Sequence, residues 1–153
     1  MTQYLGLSTI VDHIRNRAYM SGVQRDAIRV KATGEVFTPT QLVREILEEL
    51  PLEQFTDVTK TFLDNSCGDG QFLGEVLIRK MEHGSTFEQA LSTIYGVDLM
   101  QDNVDLCRER LLCGQSHLKH IVERNIVCHD SLTYHYRFGE PETFGHDMFE
   151  VEK

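Results

Sequence analysis

The chain has 153 residues, 41% hydrophobic and 25% charged, the make-up of one globular domain large enough to bury a core. A net charge of −9 opposes unaided nucleic-acid binding over the whole surface. No apolar run approaches the roughly 18 residues of a membrane span and no signal-peptide core follows Met1, which argues against a membrane or secretory role.

The four cysteines, Cys67, Cys107, Cys113 and Cys128, form no Cys-x-x-Cys pair. A disulfide framework or zinc ribbon is therefore not expected, and a reducing cytoplasm fits. Charge is unevenly placed: residues 1–33 carry Arg15, Arg17, Arg25, Arg29 and Lys31 against Asp12 and Asp26, or +3, leaving −12 for the rest. Such a basic N-terminal arm could touch DNA phosphates or an acidic partner, although a solvated helix face explains so few charges more simply.

In chain order, residues 8–33 carry an imperfect apolar stripe broken at Gly22, which predicts two short helices. Thr38 as N-cap and Pro39 at the first helical position open a helix whose Leu42, Val43, Ile46, Leu47 and Leu50 recur at helical spacing until Pro51. After a polar connection, Val58 to Leu63 reads as a strand, followed by a glycine turn and a helix from Gln71 to His83 ended by Gly84. Ser85-Thr86-Phe87-Glu88 has a capping-box pattern and starts a short helix through Leu91. Ser92 to Val97 is a second strand ending at Asp98, Asp102 to Leu112 a helix stopped by Gly114, and His117 to Val122 a further helical turn. Asn125 to Cys128 is a third strand, with Asp130 at its end. From Thr133 onward aromatic residues, charges and glycine mix without period, which leaves a tail readable as strand or loop.

This alternation predicts an α/β fold with a parallel sheet of three or four strands, right-handed crossovers and an N-terminal helical extension. Ligands of such sheets bind beyond the carboxyl ends of the strands, where Asp64, Asp98 and Asp130 fall. The turn Asp64-Asn65-Ser66-Cys67-Gly68-Asp69-Gly70-Gln71-Phe72-Leu73 has two glycines of a dinucleotide fingerprint, but Leu73 stands in the third place. A phosphate site would not want Asp64 and Asp69. S-adenosylmethionine (SAM), cationic at its amino and sulfonium groups and free of phosphate, suits them better, with a ligand-free turn as the plainer alternative. Asp64 could then meet the amino group, Asp98 the ribose hydroxyls and Asp130 the adenine amine, each a carboxylate acceptor against a donor.

Together, Gly34-Glu35-Val36-Phe37-Thr38-Pro39, Asp64 to Phe72, Tyr95-Gly96-Val97-Asp98 and Asn125-Ile126-Val127-Cys128-His129-Asp130-Ser131-Leu132 resemble the SAM-binding half of N6-adenine DNA methyltransferases. The likeness is greatest to modification subunits of type I restriction systems and covers residues 34–132. It implies a Rossmann-like methyltransferase fold, with residues 1–33 as an extension and 133–153 as an irregular tail or fourth strand. It also implies a cofactor-binding set of Phe37, Thr38, Pro39, Asp64, Asn65, Ser66, Cys67, Gly68, Gly70, Phe72, Asp98, Leu99, Asp130 and Ser131. Phe37, Thr38 and Pro39 would line the methionine side.

Those enzymes hold the target adenine with an Asn/Asp-Pro-Pro-aromatic motif, and this sequence has Pro39, Pro51 and Pro141 but no Pro-Pro pair. Methyl transfer to adenine N6 would then need a base-holding site from the tail or from another chain, and no catalytic residue is assigned. A truncated sheet leaves an edge for a second copy or a methyltransferase subunit to cover. Two other readings stand beside this one: a non-catalytic SAM-binding or regulatory module of a restriction–modification or anti-restriction system, and an enzyme that uses SAM on a different substrate. Cys113, His117 and His120 offer a weak metal spacing broken by Gly114, and Tyr134, His135, Tyr136 and Arg137 a weak base-stacking patch.

Overall fold

The computed structural model describes residues 6–16 and 38–140. Helix α1 (Leu7–Asn16) is followed by α2 (Thr40–Glu49), α3 (Glu53–Thr56), strand β1 (Phe62–Asp64) and α4 (Gln71–Glu82). Then come α5 (Phe87–Ser92), β2 (Ile94–Asp98), α6 (Gln101–Leu112), a 3-10 turn (Ser116–Leu118), α7 (Lys119–Asn125) and β3 (Ile126–Cys128). The strands form one parallel sheet in the order β1-β2-β3, with Phe62 opposite Ile94 and Gly96 opposite Ile126. This is a truncated Rossmann-like α/β fold.

The strands are added in one direction, so right-handed crossovers carry their connecting helices to one face. That face holds the core. Leu73, Val76, Leu77 and Ile78 of α4 are buried at its centre, joined by Ile10 and Ile14 of α1, Val43 and Leu47 of α2, and Val104 and Leu111 of α6. At roughly 1.5–3 kcal/mol for each large apolar side chain buried, these contacts outweigh the weak local signal of a three-residue strand such as β1. On the opposite face Leu63 is 51% exposed. Tyr95 there is covered by Phe138, at 4.8 Å between ring centroids.

Several boundaries differ from the sequence expectation, each for a local reason. Thr38 does not cap α2: Pro39 occupies the cap with extended backbone, and its carbonyl accepts from the Val43 N–H. Helix α3 was not expected, and Val58 and Thr59 are not strand. The Asp57 carboxylate accepts from both the N–H and hydroxyl of Thr59, turning the chain there, so extended backbone starts only at Phe62. The capping box is Thr86 with Gln89, one residue later than Ser85 with Glu88. The Ser85 N–H is already used by the Lys80 carbonyl at the end of α4. Strand β2 starts at Ile94 because Ser92 completes α5, and the Thr93 hydroxyl donates back to the Gln89 and Ala90 carbonyls. Strand β3 starts at Ile126, and Asn125 is a buried anchor whose amide donates to the Ile94 carbonyl at 3.1 Å.

Of the two helices expected over residues 8–33, α1 is the first. The second, with Gly34 to Phe37 and residues 141–153 of the tail, lies outside the described residues. Residues 133–140 form turns and loop, with no strand among them. No helix among the described residues is long and apolar enough to cross a membrane.

Candidate functional site

The carboxyl edge of the sheet is organised by the turn between β1 and α4. Gly68 and Gly70 adopt left-handed backbone at φ 52° and 93°. The turn is stitched to β2 by the Cys67 N–H, which donates to the Val97 carbonyl at 3.0 Å. Gly96 permits this approach: a Cβ there would lie 2.9 Å from both Cys67 Sγ and Leu73 Cδ1. The residue that displaces the third fingerprint glycine, Leu73, thus packs directly against the glycine of β2.

Asp98, the last residue of β2, holds the turn from the other side. Its Oδ1 accepts from the Gly68 N–H, and its Oδ2 accepts from the Met100 N–H and the Asn103 side-chain amide, all at 3.0 Å. Three of a carboxylate's roughly four lone-pair positions are therefore engaged within the protein. Asp64, the last residue of β1, accepts from the Ser66 N–H at 3.0 Å. Burial pushes its carboxyl above the ordinary carboxylate range against the Ser66 hydrogen bond, and the nearby charge of Asp98 adds to the rise.

Thr38, Val43, Asp64, Ser66, Cys67, Gly68, Asp69, Gln71 and Phe72 line one recess, which joins the start of α2 to the glycine turn. Among the described residues, no lysine or arginine lines it. The Gln71 amide donates to the Thr40 hydroxyl at 2.7 Å, tying α2 to the first residue of α4. The N-cap of α4 is Gly70, which has no side chain with which to close the helix's first N–H groups.

Cys67 is buried, and a thiol–thiol hydrogen bond with Cys107, together with burial, pushes its thiol well up. It is a packing residue, poorly suited to act as a thiolate nucleophile. All four cysteines are free thiols.

Asp69 departs from the expectation that it supports Asp64 in facing a ligand. Its carboxylate is buried and pairs with Arg110 of α6, Nη2 to Oδ2 at 3.2 Å. Apolar character assigns Val104, Cys107, Leu111 and Leu112 of α6 to the inward face from sequence and leaves out Asn103 and Arg110. The signal was present: residues 103, 107 and 110 follow helical i, i+4, i+7 spacing on one face of α6. Asn103 orients Asp98, Cys107 lies against Gly70 with its Sγ 3.0 Å from where a Cβ would stand, and Arg110 grips Asp69.

Asp130 lies two residues beyond β3, exposed, with its Oδ1 accepting from the Leu132 N–H. The neighbouring His129 N–H donates to the Asp98 carbonyl, which brings this loop alongside β2. Leu99 is 53% exposed at the same edge, its carbonyl accepting from the Cys128 thiol. Ser131, half-buried, offers its carbonyl to the Tyr136 hydroxyl. Asn65 and Pro39 are exposed, and Phe37 lies outside the described residues.

The loop after Asp130 folds on itself: His129 stacks on Tyr134 at 4.5 Å, and Tyr134 contacts Tyr136 and Phe138. Tyr134 and Tyr136 of the patch expected as a base-stacking surface therefore pack on Phe138, the ring that covers Tyr95 of β2. Of the five basic residues near the N-terminus, Arg15 is engaged internally with Glu75 of α4. Arg17, Arg25, Arg29 and Lys31 lie outside the described residues. Among the described residues, no group of three or more His, Cys, Asp or Glu side chains is placed to hold a metal.

A family model described as N-6 DNA methylase matches residues 18–145, most of the chain, and the chain belongs to that family. No curated protein and no solved structure matches it.

Proposed function

We propose that this member of the N-6 DNA methylase family binds SAM at the carboxyl edge of its sheet and serves methyl transfer to adenine N6 in DNA. The observation that carries the reading is the pairing of two carboxylates, Asp64 and Asp98, around a glycine turn whose recess is lined by no lysine or arginine among the described residues. A phosphate-bearing cofactor would meet like charge there. A ligand with a cationic amino acid portion would instead give the Asp64 carboxylate, disfavoured by burial and by the nearby Asp98, the opposite charge it lacks there.

The residues present fit SAM. Asp64 would hold the ammonium group, and the N–H groups that open α4, which the N-cap Gly70 cannot close with a side chain, would favour the cofactor's own carboxylate. Asp98 has about one acceptor position left for a ribose hydroxyl after supporting Gly68, Met100 and Asn103. Leu99 and Asp130 would face the adenine end, the first by apolar contact and the second by accepting from the exocyclic amine. Thr38 and Phe72 would close the methionine side, with Phe37 and Pro39 from the same segment. When bound, SAM supplies an electrophilic methyl group. The chain's own residues orient it and exclude water from one side.

Holding the target adenine needs groups that the described residues do not supply, and the edge of β1, which no strand among the described residues covers and beside which Leu63 is exposed, supports completion of the site by a further strand or a partner chain. A second copy or a methyltransferase subunit would serve, in a cytoplasmic restriction–modification setting. Calorimetric titration with SAM and its demethylated product tests the cofactor assignment. Binding of both at micromolar concentration, lost in Asp98→Ala, is the expected result, and no binding at high micromolar ligand would refute it. Transfer of labelled methyl to DNA, with and without a candidate partner, then separates an enzyme from a regulatory module that only binds SAM.

A further inference from the structure

Helix α1 lies before the segment that matches the family, yet it is joined to both elements that frame the glycine turn. On α6, Arg110 is 3% exposed and spreads its guanidinium over three acceptors among the described residues. Nε donates to the Asp69 carbonyl at 3.0 Å, Nη2 to the Asp69 carboxylate at 3.2 Å, and Nη1 to the Ile14 carbonyl of α1 at 2.5 Å. On α4, Glu75 is buried and receives a forked pair from Arg15 of α1, Nε to Oε2 at 3.1 Å and Nη2 to Oε1 at 2.6 Å. Ile10 and Ile14 complete the docking with fully buried side chains.

Asp69 sits between Gly68 and Gly70, so whatever fixes its backbone carbonyl and carboxylate also fixes the direction of the turn's N–H groups. A guanidinium does this with a rigid planar fork that no lysine reproduces. One arm of that fork ends on α1, and the helix also keeps the buried charge away from water.

We propose that Arg110 is a positioning residue for the cofactor turn, and that α1 completes its geometry so that docking of α1 and binding of cofactor strengthen one another. The inference rests on the SAM reading above. SAM itself would contact the turn and not α1, so any effect on α1 travels through the two joints between them, Asp69 with Arg110 on α6 and Glu75 with Arg15 on α4. By linkage, a helix that raises cofactor affinity must itself be held more tightly when cofactor is bound.

The test is amide hydrogen exchange on the full chain with and without saturating SAM, beside calorimetry on Arg110→Lys and Arg15→Gln. The expected results are slower exchange at residues 7–16 when SAM is bound, at least tenfold weaker SAM binding in Arg110→Lys, and a two- to fivefold loss in Arg15→Gln. Protection confined to the glycine turn, with α1 exchange unchanged, overturns the coupling, a result read on the wild-type chain even if a variant fails to fold. SAM affinity within twofold of wild type in a folded Arg110→Lys overturns the positioning role. Absence of SAM binding by the wild-type chain would instead overturn the cofactor assignment, and the inference with it.

Discussion

The two ends of β1 carry opposite charges under similar stress. At the carboxyl end, Asp64 is pushed toward its neutral form by burial and by Asp98, beside an open recess. At the amino end, Lys80 of α4 is fully buried, and burial lowers its ammonium below the ordinary lysine range against the counter-pull of Asp57. The lysine end is closed: Lys80 Nζ donates to the Lys60 carbonyl at 2.7 Å and stands over the Phe62 ring at 5.3 Å. The carboxylate end is open. A charge disfavoured by its surroundings becomes a binding group only where a ligand can reach it, and becomes a clamp where the protein fills the space.

The largest effect at the open end is expected from Asp98→Ala, which leaves Gly68, Met100 and Asn103 without their shared acceptor. About 3 kcal/mol, or roughly a hundredfold or more in SAM affinity, should be lost in calorimetric titration, because the turn loses its shape along with its ligand contact. Asp64→Asn should come next, with a loss of about ten- to a hundredfold from one charge-assisted contact. The same change should raise the melting temperature of the ligand-free chain. A carboxyl whose folded-state pKa lies above its unfolded value favours folding at low pH, and that contribution is lost as pH rises through the folded pKa. The neutral amide avoids that loss.

A smaller effect sharpens the contrast by pH. SAM binding should weaken as pH falls through the raised Asp64 pKa, because a proton competes with the ammonium group, and this part of the dependence should vanish in Asp64→Asn. The smallest effect on binding is expected at the closed end. Lys80→Met should leave SAM affinity within twofold of wild type. It should also flatten one component of stability in alkali: because the folded-state pKa of Lys80 is lowered, wild-type stability gains on the variant as pH rises toward the unfolded lysine value. Chemical denaturation at several pH values reads that difference directly.

The open end was far more legible in the sequence than the closed one. Glycines at positions 68 and 70 and aspartates at strand ends are punctuation that survives without knowledge of packing, because each answers a local backbone need. Lys80, Asn103 and Arg110 are polar residues on helices, whose chemistry reads outward even where, as for Asn103 and Arg110, the spacing shares the face of Cys107. Their partners turn them inward: the Lys60 carbonyl for the first, Asp98 at the end of the preceding strand for the second and the distant Ile14 carbonyl for the third. Asp69 was misread for the same reason, since its partner lies 41 residues away on α6. The short helix α3 was hidden by Pro51, a correct stop for α2 that says nothing of a fresh turn starting two residues later. The order of strands and the single parallel sheet were legible because alternating periodicity and the handedness of crossovers leave few other arrangements.

The central claim is that a carboxylate stressed by its surroundings at the end of β1 is the chain's hold on a cationic cofactor. Calorimetric titration of SAM into the wild-type chain and Asp64→Asn at neutral pH, with thermal melts of the same samples, tests it most directly. The account predicts that the variant melts higher and binds at least tenfold more weakly. Equal affinity in the two proteins, or no binding by the wild type, would contradict it.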